Sequence, residues 1–257
     1  MKPSPFPPLP PHALDVAGVL NPTDFKIGTD LWDATCRAGG PNLTDCLLNP
    51  GTTTRLTGVA FPVMQIVELV SAVGVQGIRA RFVVLLDKQQ KPRFSVALFA
   101  VGANEVVLSS YYLADRYWQS GAVPLAASVP RRSKLARDVP KHELPVALAA
   151  YWLSNWNDVP NRYPTSSALF TSAGQAMHGY NFALSDFIDP LRGLNEYKDQ
   201  VLVMSFGLHT FLNFNGKVDA PVATFGVMLQ IANPSPKDEA GAGDNTFDVA
   251  MPCPPAP

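Results

Sequence analysis

Charge is what this sequence has least of. Asp, Glu, Lys and Arg make up 16% of its 257 residues, well under the roughly 25% of an average soluble domain. Twenty Lys+Arg against 21 Asp+Glu leave a net charge of −1, so no long-range field steers the chain onto nucleic acid or an anionic membrane. Long apolar runs are missing too. The uncharged stretch from Tyr163 to Ser185 is full of Ser, Thr, Gly, Asn and Gln, and the more apolar Leu144 to Asn157 is too short for the ~20 residues a spanning helix needs. A soluble protein with neither a nucleic-acid nor a membrane partner is expected.

Cysteine is scarce. Cys36, Cys46 and Cys253 lack the short C-x-x-C spacings of a structural zinc site, so no metal is expected. Cys36 and Cys46 flank a Gly39-Gly40-Pro41 turn and could close a disulfide in an oxidising compartment. The beginning of the chain has one Lys and no apolar signal core, which favours reduced thiols and a cytoplasmic location. Nucleotide loops of the G-x-x-x-x-G-K-[ST] and G-x-G-x-x-G kinds are absent, and no cofactor is expected. Gly241-Ala242-Gly243-Asp244 follows Lys237-Asp238-Glu239 in an acidic loop that would repel a phosphate and lacks calcium-loop spacing. There is no G-x-S-x-G elbow for a hydrolase serine.

Proline is in surplus, with 25 residues. Many crowd into residues 1–19, a Pro-rich arm, and 251–257, a Pro-rich tail. Such segments favour extended polyproline II, as loose ends or as arms laid on a neighbouring subunit.

Between these ends the chain reads as two tandem copies of one α+β unit, at 20–121 and 143–250. In the first, Phe61 to Val70 has helical apolar spacing, and Gly74 and Gly77 end it. The strands Ile78 to Leu86 and Phe94 to Val101 follow, with a shorter third at Glu105 to Leu108. In the second, Phe182 to Leu191 repeats the helix, matching Phe61 with Phe182, Ile66 with Phe187, Val67 with Ile188 and Glu68 with Asp189. The strands Val201 to Leu208 and Val222 to Ile231 repeat the hairpin, around an Asn215-Gly216 turn signal. Each unit opens with a Trp-containing helix. One is Ile27 to Ala38, with Leu31, Trp32 and Cys36 inward. The other is Glu143 to Trp156, with Val146, Ala149, Ala150, Leu153 and Trp156 as its stripe. Val83 to Leu86 and Val227 to Leu229 stay apolar on both faces and read as strands buried on two sides. Residues 122–142 form a Pro/basic linker carrying Arg131, Arg132, Lys134, Arg137 and Lys141. With no aromatic interleaving, that cluster reads as a solvated surface.

The second unit runs from Tyr151-Trp152-Leu153-Ser154-Asn155-Trp156 through Ala168-Leu169-Phe170 to Thr246-Phe247-Asp248-Val249-Ala250-Met251-Pro252-Cys253-Pro254. It resembles a group of small single-unit proteins frequent in Bacteroidetes. Those have a W-x-x-N-W-like helix, an acidic amphipathic helix, a β-hairpin and an ending like Y-D-F-x-x-P-C-P. Val75-Gln76-Gly77-Ile78-Arg79-Ala80 of the first unit is similar to their G-V-x-x-[IV]-R-x-Y segment. The resemblance implies the architecture and no activity. This chain departs from the group in its duplication, its Pro-rich head and an insertion from Thr165 to Tyr180.

Few residues suggest chemistry. Of His12, His142, His178 and His209, His178 stands out. It lies in a polar, Gly-rich loop before the Phe182 helix, where Asp186 or Asp189 could orient it as a general base. His209 reads as a packed or edge residue. Tyr111, Tyr112, Tyr117 and Trp118, with Tyr151, Trp152 and Trp156, could stack on a sugar. They equally suit core packing and a subunit interface. The leading expectation is a non-enzymatic structural protein that self-associates as a homo-oligomer or docks on protein partners. The alternative is an enzyme or small-ligand binder with a site between the two units near His178.

Overall fold

The computed structural model describes residues 18–49, 51–87, 89–118, 144–157, 167–172, 175–192, 194, 196–211, 222–232, 246–247 and 251–253. The basic cluster, the acidic loop after Lys237, the Asn215-Gly216 turn, His12 and His142 lie outside these residues.

The first half holds β1 (Val19–Leu20), α1 (Pro22–Ala38), α2 (Gly40–Cys46), β2 (Gly58–Pro62), α3 (Val63–Val70), β3 (Gly77–Leu86), β4 (Pro92–Val101), β5 (Tyr111–Leu113) and β6 (Arg116–Tyr117). The second holds α4 (Val146–Asn157), β7 (Thr171–Ser172), β8 (Gln175–Ala176), β9 (Gly179–Ala183), α5 (Ser185–Leu191), β10 (Val201–Phe211), β11 (Val222–Ala232), β12 (Thr246–Phe247) and β13 (Met251–Cys253). This is a mixed α+β fold. Its main antiparallel sheets have strand orders β1-β5-β4-β3-β9-β13 and β12-β11-β10-β2-β6.

Neither sheet belongs to one half. β2 leaves the first half to pair with β10, Phe61 facing Leu202 and Ala60 facing Val203. β9 leaves the second half to pair with β3, Phe182 facing Ile78 and Asn181 facing Arg79. β6 follows β2 across and β13 follows β9. The exchange is reciprocal. Where the strands cross, a side chain has little room: a Cβ on Gly179, whose φ is +148°, would overlap the Ala80 carbonyl, and one on Gly58 would sit 2.7 Å from the Met204 oxygen.

The inner faces of the sheets meet through aromatic rings. Phe82 and Phe94 from β3 and β4 pack edge-on against Phe225 and Phe206 from β11 and β10. α1 covers the half of β3 that β9 does not reach, with Gly28 against Val83 and Leu85 and Trp32 against Phe82. α4 does the same for β10, with Trp152 against Gly207 and Trp156 near Phe206. Val83 and Leu85 are thus buried under a helix, while Val84 sits in the core between the sheets. α1 is well capped: the Asn21 side chain accepts from Asp24 N at 2.9 Å, Pro22 opens the helix and Arg37 lies in its last turn.

Several expectations need correcting. Phe61-Pro62 and Phe182-Ala183 end strands and do not begin helices. A short apolar run suits either state, and here it pairs with a strand from the other half. Glu105 to Leu108 contributes a tight turn and a single bridge, Val101 to Val107, and the next strand starts at Tyr111. Ala150 is exposed, whereas Ala149, Leu153 and Trp156 are buried. Met251–Cys253 is a strand on the edge of a sheet.

Candidate functional site

His178 connects β8 to β9, and its backbone is part of the sheet: its carbonyl accepts from Phe82 N at 2.9 Å. The corresponding bond on the other sheet runs from Phe206 N to the Thr57 carbonyl, also at 2.9 Å. The fold uses this backbone position twice and requires histidine at neither. The imidazole is half-buried, with Nδ1 3.1 Å from Oδ1 of Asp33 on α1. That oxygen is buried without a well-aligned hydrogen bond, so the contact has ion-pair distance and lacks hydrogen-bond alignment. Asp33 comes from the first half and His178 from the second.

The two acids picked out by sequence lie elsewhere in the bonding. Asp186 Oδ2 accepts from Ala183 N at 2.8 Å and closes the turn into α5. Gln65 stands at the corresponding place in the first turn of α3, where residue 62 is proline and offers no N–H. Asp189 pairs with Arg192 at 3.1 Å along α5. Asp33 carried no sequence signal, because its proximity to His178 depends on long-range packing.

The thiols near α1 do not suit nucleophilic chemistry. Cys36 and Cys46 are free and buried. Burial, helped by the Asp33 charge, pushes the Cys36 thiol up to about 12, and burial raises Cys46 as well. Both are protonated at neutral pH. Among the described residues, no group of three or more His, Cys, Asp or Glu comes together as a metal site.

The other described histidine is built into packing. The His209 ring stacks on Trp152, centroids 3.7 Å apart, and lies over Gly226, where any Cβ would collide with it. Its Nε2 is buried without a hydrogen-bond partner, and burial lowers its pKa to about 4. The imidazole is therefore neutral at physiological pH.

The indoles serve the core. Trp32 Nε1 donates to Met177 O at 2.9 Å and Trp156 Nε1 to Leu56 O at 2.8 Å. Each Trp thus reaches a carbonyl in the opposite half. Arg55 lies over the Trp156 ring, its Cζ 4.6 Å from the centroid. Tyr111 stacks on Phe25, and Tyr180 donates to Phe225 O at 2.6 Å. Tyr151 differs, being 51% exposed on α4.

No family model matches the chain, and no curated protein or solved structure matches it. No helix among the described residues is long and apolar enough to cross a membrane.

Proposed function

We propose that this chain is a non-enzymatic structural or interaction protein that self-associates or docks on protein partners, built from two tandem copies of one helix-and-sheet unit. The observation that carries the functional part is its surface. Val73, Val106, Val107, Leu108, Leu148 and Tyr151 are exposed, outside the cluster of buried side chains between the sheets. Val73 and the 106–108 segment are neighbours, since Gly102 lies between Leu108 and the Gly74 carbonyl. Clustered exposed apolar side chains mark interaction surfaces.

The duplication rests on the reciprocal pairing. β2 and β9, α3 and α5, the two hairpins and both Trp-to-carbonyl bonds occur in the same order with the same partners exchanged. The resemblance to small single-unit proteins fits the same module. A cytoplasmic location suits the free thiols of Cys36 and Cys46.

Light scattering after size exclusion tests the reading. Mass above one chain, rising with concentration, supports self-association. A monomer at high micromolar concentration, unchanged by removal of residues 1–11, contradicts it.

One observation favours a second reading, a site near His178: the Asp33 contact joins the two halves. If it serves catalysis or ligand binding, His178→Ala removes that function while leaving urea stability nearly unchanged. A large stability loss assigns the pair to the fold.

A further inference from the structure

Building on the self-association proposed above, we propose that two copies of this chain associate by exchanging halves, the first half of each closing on the second half of the other. The surfaces that do this are already paired within one chain. β10 takes one neighbour, β11, from its own half. Its other edge is filled by β2, from Gly58 opposite Ser205 to Pro62 opposite Val201. β3 likewise has β4 on one side and β9 on the other, from Gly179 opposite Arg81 to Ala183 opposite Gly77. A half parted from its complement has an open sheet edge, which is a template for a strand from another chain.

Close approaches specify which strand fits. Beside β10, a Cβ at the Gly58 position would sit 2.7 Å from the Met204 oxygen, and beside β3 a Cβ on Gly179 would overlap the Ala80 carbonyl. A strand with a side chain at that point cannot take the same register. The incoming half must also bring a carbonyl to each indole, Leu56 O to Trp156 and Met177 O to Trp32. It must bring the rings that close the core, Phe82 and Phe94 against Phe225 and Phe206. A second copy of this chain carries all of these in order.

Residues 119–143 join the end of the first half to the start of the second. A chain of that length reaches up to about 80 Å when extended, enough for its two ends to serve different bodies. Every contact between halves in the exchanged pair is already made in the single chain, so exchange needs no new surface. What decides between the two forms is the concentration of other chains. It competes with the effective concentration of a chain's own second half, on the order of millimolar or below for a linker of this length. Dilute chains therefore close on themselves, and concentrated chains exchange. Since β2 must leave β10 and β9 must leave β3 before partners change, the exchanged pair is slow to come apart.

The test refolds the full-length chain from urea at low micromolar and at several hundred micromolar, and reads mass by light scattering after size exclusion. Concentrated refolding should give a species with the mass of two chains that persists for hours after dilution. Dilute refolding should give the mass of one. Two variants, each carrying Cys253→Ser as well, identify the exchange. Phe82 N donates to His178 O, which makes Arg79 and Asn181 a non-hydrogen-bonded pair of the same ladder, at a spacing that suits a disulfide. Arg79→Cys and Asn181→Cys chains, refolded together at high concentration and mildly oxidised, should become linked to each other, and neither should link when refolded alone. The double variant Arg79→Cys/Asn181→Cys, refolded dilute, should close its bond within one chain, and its failure to do so overturns the register on which exchange rests. No link in the mixture, or equal linking by either variant alone, overturns exchange. A mass of two that dissociates within minutes of dilution, without the link, does the same and leaves self-association through an outer surface standing. A single chain at every concentration overturns both.

Discussion

Trp152 packs so closely on Gly207 that a methyl group on the glycine would sit 3.1 Å from the Trp152 Cβ. The corresponding crossing on the other sheet is inverted. There the helix supplies the small residue, Gly28, and the strand the large one, Val83, with a 3.1 Å approach for an added Cβ. Gly207→Ala should force α4 outward and cost about 1–3 kcal/mol. Gly28→Ala gains up to ~1 kcal/mol of helix propensity against its clash, so its net effect should be smaller. Urea midpoints at constant slope check both.

The two indole bonds offer a matched pair. Trp32→Phe and Trp156→Phe keep an aromatic ring but leave the carbonyls of Met177 and Leu56 without their N–H donors. Each should cost about 1–3 kcal/mol for the lost bond and the unsatisfied carbonyl, plus part of the lost ring volume. Similar losses at the two sites are expected because the two indoles have corresponding partners. A loss at one alone would show that the halves bear load unequally.

Much of this architecture was legible in the chain. The stripe Leu31, Trp32 and Cys36 marks the helix α1, but its start, expected at Ile27, lies at Pro22 behind the Asn21 cap. Phe61 and Phe182 both lie in strands that cross to the opposite sheet, Phe61 facing Leu202 and Phe182 facing Ile78. What the sequence could not convey is the crossing itself. The apolar run Val59-Ala60-Phe61 suits a buried segment, and nothing in it specifies β10 and not β3 as the neighbour. Asp33 near His178, and His209 between Trp152 and Gly226, depend on such long-range neighbours. The Asp33 contact escaped notice for that reason, whereas His209 was legible as a packed residue without its neighbours.

His209 should give the protein an acid-sensitive stability. Its folded pKa is lowered to about 4 by burial, below the ~6.5 of an unfolded histidine. The unfolded chain therefore binds the proton first as pH falls. Its stability contribution is intact above about pH 6.5, declines between there and about pH 4, and is level below that. From pH 7 to pH 5 the expected loss is about 2 kcal/mol. In His209→Phe, which keeps a ring against Trp152, that part of the slope should vanish. An unchanged slope in the variant would place the titration elsewhere.

Cys36 and Cys46 should resist thiol reagents in the native state. Burial raises both thiols, Cys36 to about 12, so thiolate is scarce at neutral pH. Their labelling should follow the global unfolding rate as denaturant is added. Rapid labelling in native buffer would show that α1 and α2 open locally.

The central claim is that the two halves are interwoven, each completing the other's sheet, and it can be tested by dividing the chain. Residues 1–125 and 140–257, expressed apart, should each lack the strands that close its sheet, and neither should give a folded monomer. Expressed together, they should form a soluble complex with one cooperative unfolding transition. A folded monomer of either fragment, unfolding cooperatively without the other, would contradict the account.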